Sequence, residues 1–259
     1  MNYIFLKAIV ISALIYSVSC SLVNPERDVI YQTSVINALL AGDYDGEFKI
    51  EQLKHYGDFG IGTFNELDGE MVALEGKFFQ VKADGVAYPV SDWMKTPFAV
   101  VTFFEADQTV NLEKISSLAQ LEQSLDQIIG NQNLFYAIRM EGTFEYLKTR
   151  SVPKQSKPYP ALTEAVKTQS VFEFHNSSGV LVGFRSPDYL GGINVAGYHF
   201  HFLNQARDAG GHLLECKINN ARVEIDRSSK FFLVLPEGED FAQESLPAEI
   251  KEDLKKVEK

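Results

Sequence analysis

The chain has 259 residues, 45% of them hydrophobic and 23% charged, which is enough for one large domain or two small ones around a buried core. This composition excludes collagen-like, mucin-like and wholly disordered classes. With 24 Lys and Arg against 35 Asp and Glu the net charge is −11, which excludes nucleic acid as the main partner because phosphate binding needs a basic face.

The first twenty residues read as an export signal. A short head with Lys7 precedes the apolar run Ala8 to Tyr16, and small residues follow up to Cys20. That run is too short for a bilayer-spanning helix, which needs about 20 apolar residues. Cys20 stands where a bacterial lipoprotein signal places its lipidated cysteine, although Ser17 replaces the usual Leu. Lipidation and simple cleavage both remain open, so the protein is expected to be exported: periplasmic, extracellular or tethered to a membrane through an N-terminal lipid. The other cysteine, Cys216, reads as a small buried hydrophobe, and two cysteines exclude a disulfide scaffold.

Thr33 or Ser34 can cap a helix that carries Val35, Ile36, Leu39 and Leu40 and stops at Gly42. A short helical turn is predicted over Ile50 to His55. Glu70 to Leu74, Lys77 to Val81 and Val86 to Pro89 form a meander with turns at Glu75-Gly76 and Asp84-Gly85, and Phe98 to Phe104 reads as a buried strand. Ile115, Leu118, Leu121, Leu125 and Ile128 recur at helical spacing before Gly130. Leu134 to Met140 and Thr143 to Val152 are predicted as two strands joined at Glu141-Gly142. A proline-marked connection and a helix at Leu162 to Lys167 follow. The rest is β-rich, with strands at Val171 to Phe174, Gly179 to Phe184, Gly197 to Leu203, His212 to Ile218, Ala221 to Ile225 and Phe231 to Leu235. In the tail, Ile250, Leu254 and Val257 share one face of a short amphipathic helix. The class is α+β, of the two-subdomain α/β type, with mixed and antiparallel sheets and few helices. The expected division is an N-terminal α/β subdomain over 28–152, a β-rich C-terminal subdomain over 153–240, and a tail over 241–259.

The most informative segment is Gly197-Tyr198-His199-Phe200-His201-Phe202, followed by Gly210-Gly211-His212. On a strand, His199 and His201 project from one face while Tyr198, Phe200 and Phe202 occupy the other. A Gly-containing return then brings His212 beside them. Three imidazoles meeting in this way would leave an open position on a Zn²⁺-type ion, the arrangement of a catalytic site. The competing interpretation is a pair of half-exposed strand histidines with an unrelated third nearby. His55 and His175 lack such company and read as structural or surface groups. Asn176-Ser177-Ser178 fits the glycosylation acceptor pattern, which carries little weight behind a bacterial-type signal.

Several ordered blocks resemble the acetolactate decarboxylase family. They are Ser34-Val35-Ile36-Asn37-Ala38-Leu39, Gly62-Thr63-Phe64-Asn65-Glu66-Leu67-Asp68-Gly69-Glu70, Lys95-Thr96-Pro97-Phe98-Ala99-Val100, Asn133-Leu134-Phe135-Tyr136-Ala137, Arg150-Ser151-Val152-Pro153-Lys154-Gln155 and the three-histidine segment. The resemblance runs from about Ile30 to the tail. It implies a two-subdomain zinc enzyme, paired as a homodimer, that converts 2-acetolactate to acetoin and CO₂. It further implies His199, His201 and His212 as zinc ligands and Glu70 and Arg150 as active-site residues. A tail glutamate completes the set: Glu258 by position, with Glu249 and Glu252 as alternatives.

The chemistry explains why such groups are needed. Loss of CO₂ leaves an electron pair that must flow into the ketone, and Zn²⁺ would take up that charge as a Lewis acid, so no organic cofactor is required. Arg150 would hold the substrate carboxylate or an adjacent oxygen. Glu70 and the tail glutamate would handle the proton that reaches the new carbanion. Two rivals are a cupin-like metal-dependent oxygenase, which lacks its carboxylate ligand here, and a non-catalytic exported module that binds a metal or small acid.

Overall fold

The computed structural model describes residues 27–243, 245–246 and 251–258. The expected export signal, Cys20 and Glu249 lie outside these residues, as does the side chain of Glu252. Val29–Thr33 (β1) leads into Ile36–Ala41 (α1), then Phe48–Lys49 (β2), Ile50–Leu53 (α2) and Phe59–Thr63 (β3). Glu70–Leu74 (β4), Lys77–Val81 (β5) and Ala87–Pro89 (β6) form the expected meander, followed by Lys95–Thr96 (β7) and Ala99–Thr102 (β8). Next come Gln108–Ile115 (β9), Leu118–Ile129 (α3), Phe135–Ser151 (β10), Leu162–Ala165 (α4) and Ser170–Ser186 (β11). Gly197–Asn204 (β12), Gly210–Ser228 (β13), Lys230–Val234 (β14), Glu239–Gln243 (α5) and Lys251–Glu258 (α6) complete the chain.

The strands form two main sheets, so the fold is α+β with mixed and antiparallel pairing. One has seven strands in the order β14-β1-β8-β3-β4-β5-β6, antiparallel except where β14 runs parallel to β1. The other has the order β10-β11-β12-β13-β9, and β10 also pairs with β13, so four strands close into a ring. Alternation along each strand decides which core a side chain enters. On β4, Val72 and Leu74 join a core shared by both sheets, while Met71 and Ala73 pack beneath α2 with Ile50 and Leu53. On β12, Phe200 and Phe202 enter the core covered by Leu121 and Leu125 of α3. Leu203, in phase with His199 and His201, enters the core between the sheets. The imidazoles therefore face the seven-stranded sheet.

Several sequence expectations require correction, among them the cap of α1, which is Val35 without a side-chain hydrogen bond rather than Thr33 or Ser34. Glu141-Gly142 is not a turn, because β10 runs unbroken through it. A Cβ at Gly142 would lie 2.2 Å from the Asn220 carbonyl oxygen, so this glycine admits a close neighbouring strand. The pairs of short strands predicted on either side of Asn176-Ser177-Ser178 and of Asn219-Asn220 are likewise the single long strands β11 and β13. Ile115 ends β9, and α3 begins only after Ser117, whose side chain accepts a hydrogen bond from the Gln120 backbone N–H. The sheets also do not divide at residue 152. β9 and β10 precede that point yet belong to the five-stranded sheet, and β14 returns to the seven-stranded one.

Candidate metal and active site

Strand register gathers the site. Arg150 on β10 pairs with His212 on β13, which in turn pairs with His201 on β12, so the three stand in one row across neighbouring strands. His199 lies two residues from His201 on the same face. Gly211 makes the row possible. Its φ of +136° is one that L side chains rarely adopt, and a Cβ there would lie 2.6 Å from the Arg150 carbonyl oxygen. Gly210 is as tightly held, with its own carbonyl accepting from Thr149 Oγ1 at 3.0 Å.

His199 Nε2 lies 3.1 Å from His201 Nε2 and 3.0 Å from His212 Nδ1. Among the described residues these form the one group of three able to share a metal ion, with their ligand atoms within 4.8 Å of one another. His201 Nδ1 donates to the Met71 carbonyl oxygen at 2.7 Å, which leaves the Nε2 lone pair facing the other rings. Burial and the nearby Arg150 charge push the His199 pKa down to about 3, and burial drives His201 and His212 well below the ordinary histidine value. The rings are therefore neutral. Neutral imidazole nitrogens this close cannot all satisfy one another, and His212 Nε2 is buried without a hydrogen-bond partner. A divalent cation at their centre resolves this, and an all-nitrogen donor set with carboxylates at hand suits Zn²⁺.

Two carboxyl groups flank the rings. Glu70 opens β4 after a tight loop in which Glu66, Leu67 and Gly69 all have positive φ. Its Oε1 accepts from Arg150 Nη1 at 2.7 Å, and its Oε2 is 3.6 Å from His201 Nε2. Burial raises the Glu70 pKa to about 7, against the opposing pull of Arg150. Glu258, the last described residue of α6, places Oε2 3.7 Å from both His199 Nε2 and His212 Nε2. Burial raises its pKa to about 7 as well. The structure thus brings together His199, His201, His212, Glu70, Arg150 and Glu258, six residues from β4, β10, β12, β13 and α6. His55 and His175 are exposed and stand apart, and Cys216 is buried at 1% exposure.

The place given to Arg150 by the sequence differs in one respect. Both terminal nitrogens are engaged by the protein itself, Nη1 by Glu70 and Nη2 by the Val257 carbonyl oxygen at 3.2 Å, while the buried Nε has no partner. The carbonyl groups of Met71 and Val257 were beyond sequence reasoning, because any residue offers the same backbone oxygen. A cleft of about 340 Å³ on the α3 side, lined in part by Arg185, Tyr198, His199, His212 and Glu258, opens onto the site. Its Tyr198 hydroxyl donates to Asp126 Oδ1 at 2.8 Å.

The sequence profile of alpha-acetolactate decarboxylase matches residues 30–248. The chain is 52% identical over 236 residues to the alpha-acetolactate decarboxylase of Methanosarcina mazei, covering 91% of this chain and 82% of that protein. It is 42% identical to the Bacillus subtilis enzyme of the same name, covering 84% and 85%. The crystal structure of alpha-acetolactate decarboxylase from Bacillus subtilis superposes with a TM-score of 0.87 at 40% identity, covering 89% of this chain and 99% of that one.

Proposed function

The chain belongs to the alpha-acetolactate decarboxylase family and is a carboxy-lyase by that membership, and we propose that it decarboxylates 2-acetolactate to acetoin through the six-residue site. The observation that carries this reading is the meeting of three neutral imidazoles with two buried, proton-retaining carboxyl groups. His199, His201 and His212 hold a zinc ion in this reading. When bound, it supplies Lewis-acid stabilisation to the electron pair that CO₂ leaves behind.

The protein's own groups divide the remaining work. Arg150 bonds Glu70 Oε1 directly and opposes the rise that burial imposes on its pKa, and this bond holds the Glu70 carboxyl beside the rings where it orients the substrate's hydroxyl. Glu258 has no such cation bonded to it and retains its proton near neutral pH, which makes it the donor to the carbanion carbon. Its position at the inner end of the 340 Å³ cleft puts that proton on one face of the substrate.

Assaying purified protein for acetoin from racemic acetolactate, before and after chelation and zinc restoration, tests the reading. Acetoin that disappears with chelator and returns with zinc is expected. No acetoin from fully zinc-loaded protein overturns it. Export through the signal at 1–20, with or without a lipid on Cys20, and pairing as a homodimer are parts of the same proposal. Mass spectrometry of the mature N-terminus and sedimentation of the purified protein check them. Family membership displaces the cupin-like oxygenase and the non-catalytic module.

A further inference from the structure

Behind the histidines lies a second cavity of about 40 Å³ between the two sheets. It is lined by the polar groups already described and by Ile36, Leu39, Leu67, Phe98, Leu162 and Val257, all six of which belong to the core between the sheets. The one hydroxyl in this lining, Thr63 Oγ1, donates to the Gly69 carbonyl oxygen at 2.7 Å and so can offer a ligand only an acceptor. A cavity needs roughly 10–15 Å³ to hold one water, so this one takes about three non-hydrogen atoms. The whole substrate cannot enter. Its oxygen-bearing part stays with the histidines, and only a short alkyl group fits beyond them.

We propose that Leu162 and Val257 are specificity-determining residues which gauge the alkyl group on the substrate's carboxylate-bearing carbon. This rests on the decarboxylase reading. That carbon receives the proton, so it sits beside Glu258, and the adjoining Val257 lines the same cavity. Val257 is 3% exposed, its carbonyl is pinned by Arg150, and α4 carries Leu162 against the same helix. Both residues belong to short helices rather than to the sheets. The helix that delivers the acid therefore also limits what the acid can protonate.

The test compares kcat/KM for acetolactate and for its homologue with ethyl in place of that methyl, in the wild type, Leu162→Val and Val257→Ala. A single methylene in an apolar pocket discriminates by roughly 10- to 200-fold. The wild type should prefer the methyl substrate within that range. Each variant should move the ratio at least about tenfold toward ethyl. Calorimetric affinities of zinc-loaded protein for the unreactive 2,3-dihydroxy acids bearing methyl or ethyl should shift in parallel. Equal losses on both substrates, with unchanged relative affinities, overturn the gauge. If the zinc-loaded wild type turns over neither substrate, the decarboxylase reading fails instead, and the calorimetric arm still decides the gauge.

Discussion

Arg150 donates through Nη1 to Glu70 Oε1 at 2.7 Å and through Nη2 to the Val257 carbonyl oxygen at 3.2 Å. One buried guanidinium thus joins the start of β4 to the end of the C-terminal helix, and the two carboxyl groups of the site depend on it together. Arg150→Met leaves Glu70 buried without its partner. Removing one member of such a pair costs about 3–5 kcal/mol, so thermal unfolding should fall by several degrees. Arg150→Lys keeps the charge but not the fork. It should restore more of the unfolding temperature than of the activity. Limited proteolysis should cut near α6 in both variants and leave that segment intact in the wild type.

Deleting residues 247–259 removes Glu258 and the Val257 wall while leaving the histidines in place. Metal stoichiometry should stay unchanged, and acetoin formation should fall by at least about a hundredfold, the low end of what a positioned general acid contributes. A truncated protein with undiminished turnover would remove Glu258 from the mechanism.

His199→Ala takes away the nitrogen that lies nearest to both other rings. The variant should lose bound zinc, measured by elemental analysis, and turnover with it. Full activity in that variant refutes the ligand assignment.

Glu70 and Glu258 have folded pKa values raised to about 7, so between their ordinary value of 4.5 and 7 these two groups bind more protons in the metal-free native state than in the unfolded chain, opposite in sign to the three neutral histidines. The contribution of these two groups to stability therefore falls as pH rises through that window and is flat below it. Glu258→Gln cannot ionise. Its unfolding temperature relative to the metal-free wild type should be higher at pH 8 than at pH 5, as read by calorimetry at both values.

Asp226 is a third buried carboxyl, 1% exposed, with Oδ2 accepting from the Glu105 backbone N–H and Oδ1 without a partner. Burial raises its pKa to about 6, with neighbouring acidic groups adding to the effect. Stability is therefore lost as pH rises from its ordinary value through about 6. Asp226→Asn keeps an acceptor for Glu105 and should unfold at a higher temperature than the wild type above pH 6, with the gain vanishing near pH 4.

The three histidines of the site were readable from residues alone because the relevant spacing is local, whereas Glu70, Arg150 and Glu258 entered only through the family resemblance. His199 and His201 share a face through the two-residue period of a strand, and the alternate Tyr198, Phe200 and Phe202 mark that face's opposite. The same locality failed where a glycine had two meanings. Gly76 and Gly85 end strands of the meander as expected. Gly142 instead sits inside β10, and only the strand beside it shows that it serves close approach rather than a turn. Gln108–Ile115 alternates weakly and is largely exposed, so β9 announced itself only by its pairing with β13.

Residue types and strand periods thus determined the three histidines and an amphipathic tail, and the family resemblance added Glu70, Arg150 and the tail glutamate. The tertiary structure alone decided that Arg150, His212 and His201 stand in one row, that the Met71 carbonyl takes His201 Nδ1 and leaves Nε2 toward the other rings, and that Arg150 grips the tail rather than standing open. These contacts join segments up to 130 residues apart, as His201 and Met71 are. They depend on register and on sheet-to-sheet packing, which are settled by the summed burial of whole faces and cannot be computed from any one stretch of chain.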